Sequence, residues 1–245
     1  MRLQGRAVLV TGAARRVGRA IALALAARGA RVAIHYHRSQ REAARLAADM
    51  KAGFGRDCMA VSADLRDIRA VRRMAAAVAK RFGGISVLIN NASAYKRTPF
   101  SETTPAQWDE HMDVNLRAAF FLSQAVAPGM HSAGEGKIIN IADWSGLRPY
   151  PAYIPYCVSK AGLLCLTTAL AKQLAPEVQV NAVMPGPVLL PEGTPPRRAR
   201  IVARANPAGR LGTPEDVAKA VLYLIESGDF VTGAALPVDG GRLIA

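Results

Sequence analysis

The chain has 245 residues, 51% of them hydrophobic, and a formal net charge of +14. This is enough to bury a full core in one large domain, and with no run of eighteen apolar residues a membrane-spanning segment is not expected. Arg and Lys are spread along the whole sequence without a basic tail or an aromatic-interleaved motif, so the charge is read as a solvated surface suited to an anionic ligand rather than to nucleic acid.

In chain order, short apolar runs alternate with longer helical patterns. Strands are expected at Arg6–Thr11, Arg31–His37, Asp57–Ser62, Ser86–Asn90, Lys137–Ala142, Gln179–Val183 and Ala235–Val238. Helices are expected near Arg19–Ala27, Arg41–Lys51, Ile68–Arg81, Pro105–His131, Tyr153–Leu174 and Pro214–Glu226. Runs apolar on both faces, such as Val87-Leu88-Ile89, belong in a parallel sheet covered on both sides. The expected fold is therefore α/β, a single doubly wound, Rossmann-like parallel sheet of about seven strands spanning residues 1–245. Gly29, Gly53 and Gly83 follow helical patterns where a left-handed residue ends a helix. The segment Pro185–Pro196 reads as a long loop. Met1 leads almost at once into the apolar run Ala7–Val10, which leaves no room for a signal peptide and makes a cytoplasmic location the expectation. Cys58, Cys157 and Cys165 lack disulfide or metal-ligand spacing and are read as reduced thiols.

The first strand ends in Thr11-Gly12-Ala13-Ala14-Arg15-Arg16-Val17-Gly18 and a helix follows. Glycines at such a turn let the backbone approach a pyrophosphate seated on the helix N-terminus. The second strand runs into His37-Arg38-Ser39, with no Asp or Glu before Glu42 to accept from a ribose hydroxyl. A 2′-phosphate fits those donors, so NADPH is the expected cofactor. Tyr156 and Lys160 stand at i and i+4 on one helix face, where an ammonium would draw the phenol toward a useful proton-transfer range.

Together these motifs resemble the short-chain dehydrogenase/reductase family over essentially the whole chain. Its TGxxxGxG turn is present with Arg16 in place of the middle Gly, and its NNAG turn as Asn90-Asn91-Ala92-Ser93. The resemblance implies that Gly12, Arg15, Arg16, Val17 and Gly18 hold the cofactor phosphates, and that Asp64-Leu65 lies at the adenine. It implies that Asn91, Ala92 and Ser93 line the cofactor, with Pro185, Gly186 and Val188 on the nicotinamide side. Tyr156 would exchange the proton, Lys160 would also hold the ribose, and Asn115 would support Lys160 through water. Val238-Asp239-Gly240-Gly241 matches a C-terminal motif, and a homotetramer is implied by resemblance alone.

One residue departs from this pattern. Thirteen positions before Tyr156, where the family has Ser, stands Asp143, with Ser145 two positions on as a possible stand-in. A carboxylate only accepts hydrogen bonds and repels a developing alkoxide, whereas the N–H and amino groups of a nitrogen heterocycle can donate to it. The turn TGAARRVG, the segment HYHRS (His35–Ser39), NNAS followed by Tyr95, and Asp143 with Tyr156 and Lys160 together resemble pteridine reductases, acting on dihydrobiopterin, dihydromonapterin or folate-type rings. In that reading Tyr95 stacks on the pterin and Arg16 and Ser93 contact pterin or cofactor, with Tyr153 lining the pocket; Tyr95 as an ordinary loop aromatic stays open. Two other readings share the scaffold: a 3-oxoacyl thioester carbonyl reductase, and a non-catalytic NADPH-binding protein.

Overall fold

Each aliphatic, β-branched run becomes a strand of one sheet in the computed structural model, which describes residues 1–55, 57–190 and 193–245. The strands are β1 (Ala7–Val10), β2 (Arg31–Tyr36), β3 (Met59–Ser62), β4 (Val87–Asn90), β5 (Gly136–Ile141), β6 (Val178–Pro185) and β7 (Ala235–Val238). All pair in parallel in the order β3-β2-β1-β4-β5-β6-β7. The chain builds outward from β1 through β3, then crosses back to place β4 on the other side of β1. That reversal opens a crevice beyond the carboxyl ends of β1 and β4, the usual ligand position in open α/β sheets.

Helices cover both faces: α1 (Arg16–Ala27), α2 (Gln40–Phe54), α3 (Ile68–Phe82), α4 (Pro105–Met112), α5 (Ala118–Ser132), α6 (Ile154–Leu174), α7 (Pro196–Arg204) and α8 (Pro214–Glu226). On one face Leu25 of α1, Leu46 of α2 and Val221 of α8 pack on Val8 and Ile34. On the other, Val78 of α3 and Leu122 of α5 pack on Leu9, Leu88 and Val180. Burial of this kind, about 25 cal/mol per Å² of apolar surface, drives the layering.

Several expectations need correction. The single helix expected over Pro105–His131 is broken by a π turn at Asp113–Arg117, which adds a residue per turn and re-aims Asn115 inward. The left-handed end of α2 is Gly55, at φ 62, because the helix runs past Gly53; Gly29 (φ 87) and Gly83 (φ 72) are left-handed as expected. Pro185 ends a strand rather than opening a loop, and α7 begins at the last residue of the expected loop and runs on through residues for which no element was expected. Nothing in α7 is buried, and four of its nine residues are Arg, so its composition reads as polar. Pro191 and Glu192, in the middle of the expected loop, lie outside the described residues. Helix α6 is apolar and long enough to cross a membrane by composition, yet Leu163 and Ala171 on it pack into the core.

Candidate active site

The crevice is a cleft of about 1650 Å³ that brings together the expected phosphate turn, the NNAS turn, Asp143, Tyr156, Lys160 and the Pro185-Gly186-Val188 segment. At its floor β1 delivers Thr11 and Gly12. Thr11 Oγ1 accepts from the backbone N–H groups of Asn91 (2.8 Å) and Ala92 (2.9 Å). Asn91 Nδ2 in turn donates to the carbonyl oxygens of Thr11 (2.8 Å) and Gly12 (3.2 Å). The two turns are thus one hydrogen-bonded unit, and it explains Gly18. A Cβ there would meet Gly12 O at 2.3 Å and Asn91 Nδ2 at 2.6 Å.

A second support was absent from the sequence reading. The buried His35 of β2 accepts from the Gly12 N–H at Nδ1 (3.0 Å) and donates from Nε2 to Ala63 O (3.1 Å). Burial pulls its pKa from 6.5 down to about 4, so the ring is neutral and fixed in one tautomer. The available signal was a histidine directly following the apolar run Val32-Ala33-Ile34, on a strand buried on both faces.

The fit to a dinucleotide rests on unspent donors. Helix α1 has no side-chain N-cap and no acidic residue in its first turn, which leaves its terminal N–H groups available to a phosphate. Arg38 forms no ion pair or hydrogen bond among the described residues, and the Ser39 side chain does not cap α2. Glu42, the first carboxylate after β2, is held by Arg15 instead of reaching the ribose position. Asp64 is gripped by Arg66 at 2.6 Å, with His37 3.8 Å away, and the Arg66 bond holds its pKa down at about 2. Leu65 is buried beside it. Arg16 adopts φ 53, a left-handed conformation costly for a side chain other than glycine, and donates across the cleft to Leu189 O (3.0 Å).

At the chemical end, Tyr156 Oη donates to Asp143 Oδ2 at 2.9 Å, and Asp143 Oδ1 accepts from Ser145 N at 2.8 Å. Ser145 does not stand in for the missing hydroxyl donor, because its Oγ is buried and faces no cleft space. Lys160 Nζ donates to Ile141 O at 2.7 Å and lies 5.7 Å from the Tyr156 ring centre. Burial lowers the Lys160 pKa to about 8, against the Asp143 carboxylate, which raises it. The expectation that Lys160 draws the phenol toward ionisation is not met in this geometry. Burial and the Asp143 carboxylate push Tyr156 well above its ordinary pKa, so the phenol stays protonated and donates its hydrogen bond to Asp143. Asn115 bonds the Ala94 backbone and donates to Ser159 Oγ (2.9 Å), fixing the turn after β4.

Tyr95 stacks on Tyr153 (centroids 4.8 Å, 13°) and meets the Tyr156 ring edge-on at 4.8 Å. Ser93 is exposed at the cleft wall. On the far side, Gly186 N donates to Val238 O (3.0 Å), and a Cβ on Gly186 would strike Asp239 Cα at 2.6 Å. The Val238-Asp239-Gly240-Gly241 segment therefore braces the Pro185-Gly186 turn, with Val188 buried behind it.

A family profile described as Enoyl-(Acyl carrier protein) reductase matches residues 12–242. The D-threitol dehydrogenase of Mycolicibacterium smegmatis is 34% identical over 251 residues, covering 99% of this chain and 95% of that protein. The 3-oxoacyl-(acyl-carrier-protein) reductase of Synechocystis is also 34% identical, covering 99% and 98%. The crystal structure of FolM alternative dihydrofolate reductase 1 from Brucella canis, complexed with NADP, matches with a TM-score of 0.92 at 32% identity, covering 100% of this chain and 97% of that one.

Proposed function

The chain belongs to the short-chain dehydrogenase/reductase family of oxidoreductases, and on that premise we propose that it is an NADPH-dependent reductase of a pteridine ring. The observation that carries this reading is the Asp143 carboxylate, bonded to the Tyr156 hydroxyl at 2.9 Å where carbonyl reduction wants a neutral donor. The cofactor assignment is supported by the unpaired Arg38, the open N-terminus of α1 and the tight cradle at Gly18. NADPH, when bound, supplies the hydride.

The protein's own residues handle the proton. Asp143 is an acceptor, matched to the ring N–H and amino donors of a pterin and mismatched to an oxygen gaining negative charge. Tyr156, held protonated and aimed by Asp143, would give its proton to the ring nitrogen of the substrate's C=N bond. Lys160, buried beside Tyr156 and lining the cleft, would hold the nicotinamide ribose. The Tyr95–Tyr153 pair offers a flat wall for the substrate ring. Its likeness to the Brucella canis reductase supports this substrate class. The Synechocystis relative favours a second reading, 3-oxoacyl thioester reduction, which Asp143 opposes. A homotetramer is also proposed, with the exposed Phe120 of α5 and Val158 of α6 as apolar residues a partner would cover.

Substitution at position 143 separates the two readings. Asp143→Ala is expected to lower dihydropterin turnover by about 10²-fold or more, the usual weight of a positioned proton-transfer group. Asp143→Ser loses pterin reduction as well and gains ketone reduction. Wild-type pterin turnover in Asp143→Ala would overturn the assignment.

A further inference from the structure

The cleft carries more positive charge than the cofactor phosphates explain. Every carboxylate lining it among the described residues has a donor partner: Asp64 with Arg66, Glu110 with Lys96, and Asp143 with Tyr156. Arg15, Arg16 and Arg38 belong to the nucleotide end. Arg198 and Arg242 also line the cleft, and neither meets a carboxylate among the described residues. Arg198 makes no hydrogen bond at all among them. It shares a face of α7 with Val202, at i and i+4, and this is the face α7 turns to the cleft.

Arg242 is already held in place. Its Nη1 donates to Ala205 O at 2.7 Å, just beyond α7, and its guanidinium lies over the Trp144 ring at 5.6 Å. From there aromatic rings lead back to the catalytic hydroxyl. Trp144 meets Tyr150 at 5.7 Å, Tyr150 meets Tyr153 at 5.4 Å, Tyr153 stacks on Tyr95 at 4.8 Å, and Tyr95 meets Tyr156 at 4.8 Å. The rings meet at angles from 13° to 78°, a stepped aromatic wall that runs from the catalytic hydroxyl to Arg242, in the cleft that Arg198 also lines.

We propose that Arg198 and Arg242 form a tail-binding subsite, and that the preferred substrate is a pterin extended through an aryl group to a carboxylate rather than one with a neutral hydroxyalkyl side chain. This rests on the pteridine reading above. The aryl group lies along Trp144 and Tyr150, and the carboxylate is held by the two guanidinium groups. A neutral polyol would leave both charges without a counter-ion and the aromatic track uncovered.

The test compares NADPH oxidation with dihydrofolate and with dihydrobiopterin, reading the ratio of their kcat/KM values. In the wild type the ratio favours dihydrofolate and falls with added salt, as a screened ion pair requires. Arg198→Ala lowers the ratio about tenfold, mainly through the KM for dihydrofolate, the scale of one lost charge-assisted hydrogen bond. Arg198→Glu lowers it further, Arg198→Lys restores part of it, and an unchanged thermal midpoint shows that each variant folds. Arg242→Ala lowers it too. A ratio unmoved by Arg198→Ala and Arg198→Glu, with both pterins still reduced, overturns this subsite and leaves the pteridine reading standing. A wild type that reduces neither pterin overturns both.

Discussion

On the proposed reading, cofactor choice turns on Arg38. It stands past the end of β2 with no protein partner among the described residues, and Glu42, the one nearby carboxylate, is taken up by Arg15. An NADH site would place an acceptor where this chain presents a free guanidinium. Arg38→Ala is therefore expected to reduce the preference for NADPH over NADH by about ten- to a hundredfold, measured as the ratio of kcat/KM values. An unchanged ratio would move the phosphate contact elsewhere. Arg16 is a different case. Its φ of 53 is a conformation glycine would adopt freely, and the side chain uses that strain to reach Leu189 O on the opposite lip.

Among the elements, β2 does more than carry the nucleotide loop. His35 ties the phosphate turn after β1 to the end of β3, and its bond from Gly12 N–H requires an unprotonated Nδ1. The folded pKa of about 4 lies below the unfolded value near 6.5. Between those values the unfolded chain binds the proton and the folded one does not, so stability is full above about pH 6.5 and declines as the pH falls toward 4. The loss is on the order of 3 kcal/mol. Urea unfolding of the wild type should therefore show a steeper decline over this window than His35→Gln; equal slopes would contradict the assigned role. This is the kind of feature that stayed hidden in the sequence. The Tyr156/Lys160 spacing, the phosphate turn and Asp143 were legible because their chemistry is local to a short motif. His35, the π turn at Asn115 and the bond from Arg16 to Leu189 depend on partners far along the chain. Helix α7 was missed because it is only nine residues long, four of them Arg, and follows a Pro- and Gly-rich segment. Strand order beyond the βα alternation was likewise set by pairing that no single segment records.

For the whole molecule, the crossing from β3 back to β4 puts the cleft where three elements can serve it at once. The β1 and β2 ends supply the nucleotide donors, β5 and α6 supply Asp143, Tyr156 and Lys160, and β6 with α7 closes the far wall. The net charge of +14 is consistent with a cleft that collects anions, since the cofactor and the proposed substrate tail are both negative. The central claim is that this assembly reduces a pteridine ring and not a ketone, and it is decided by NADPH oxidation with dihydrobiopterin, dihydromonapterin, dihydrofolate and an acetoacetyl thioester. Consumption of NADPH with the dihydropterins and none with the thioester is the predicted result. Rapid reduction of the thioester with every dihydropterin ignored would contradict it.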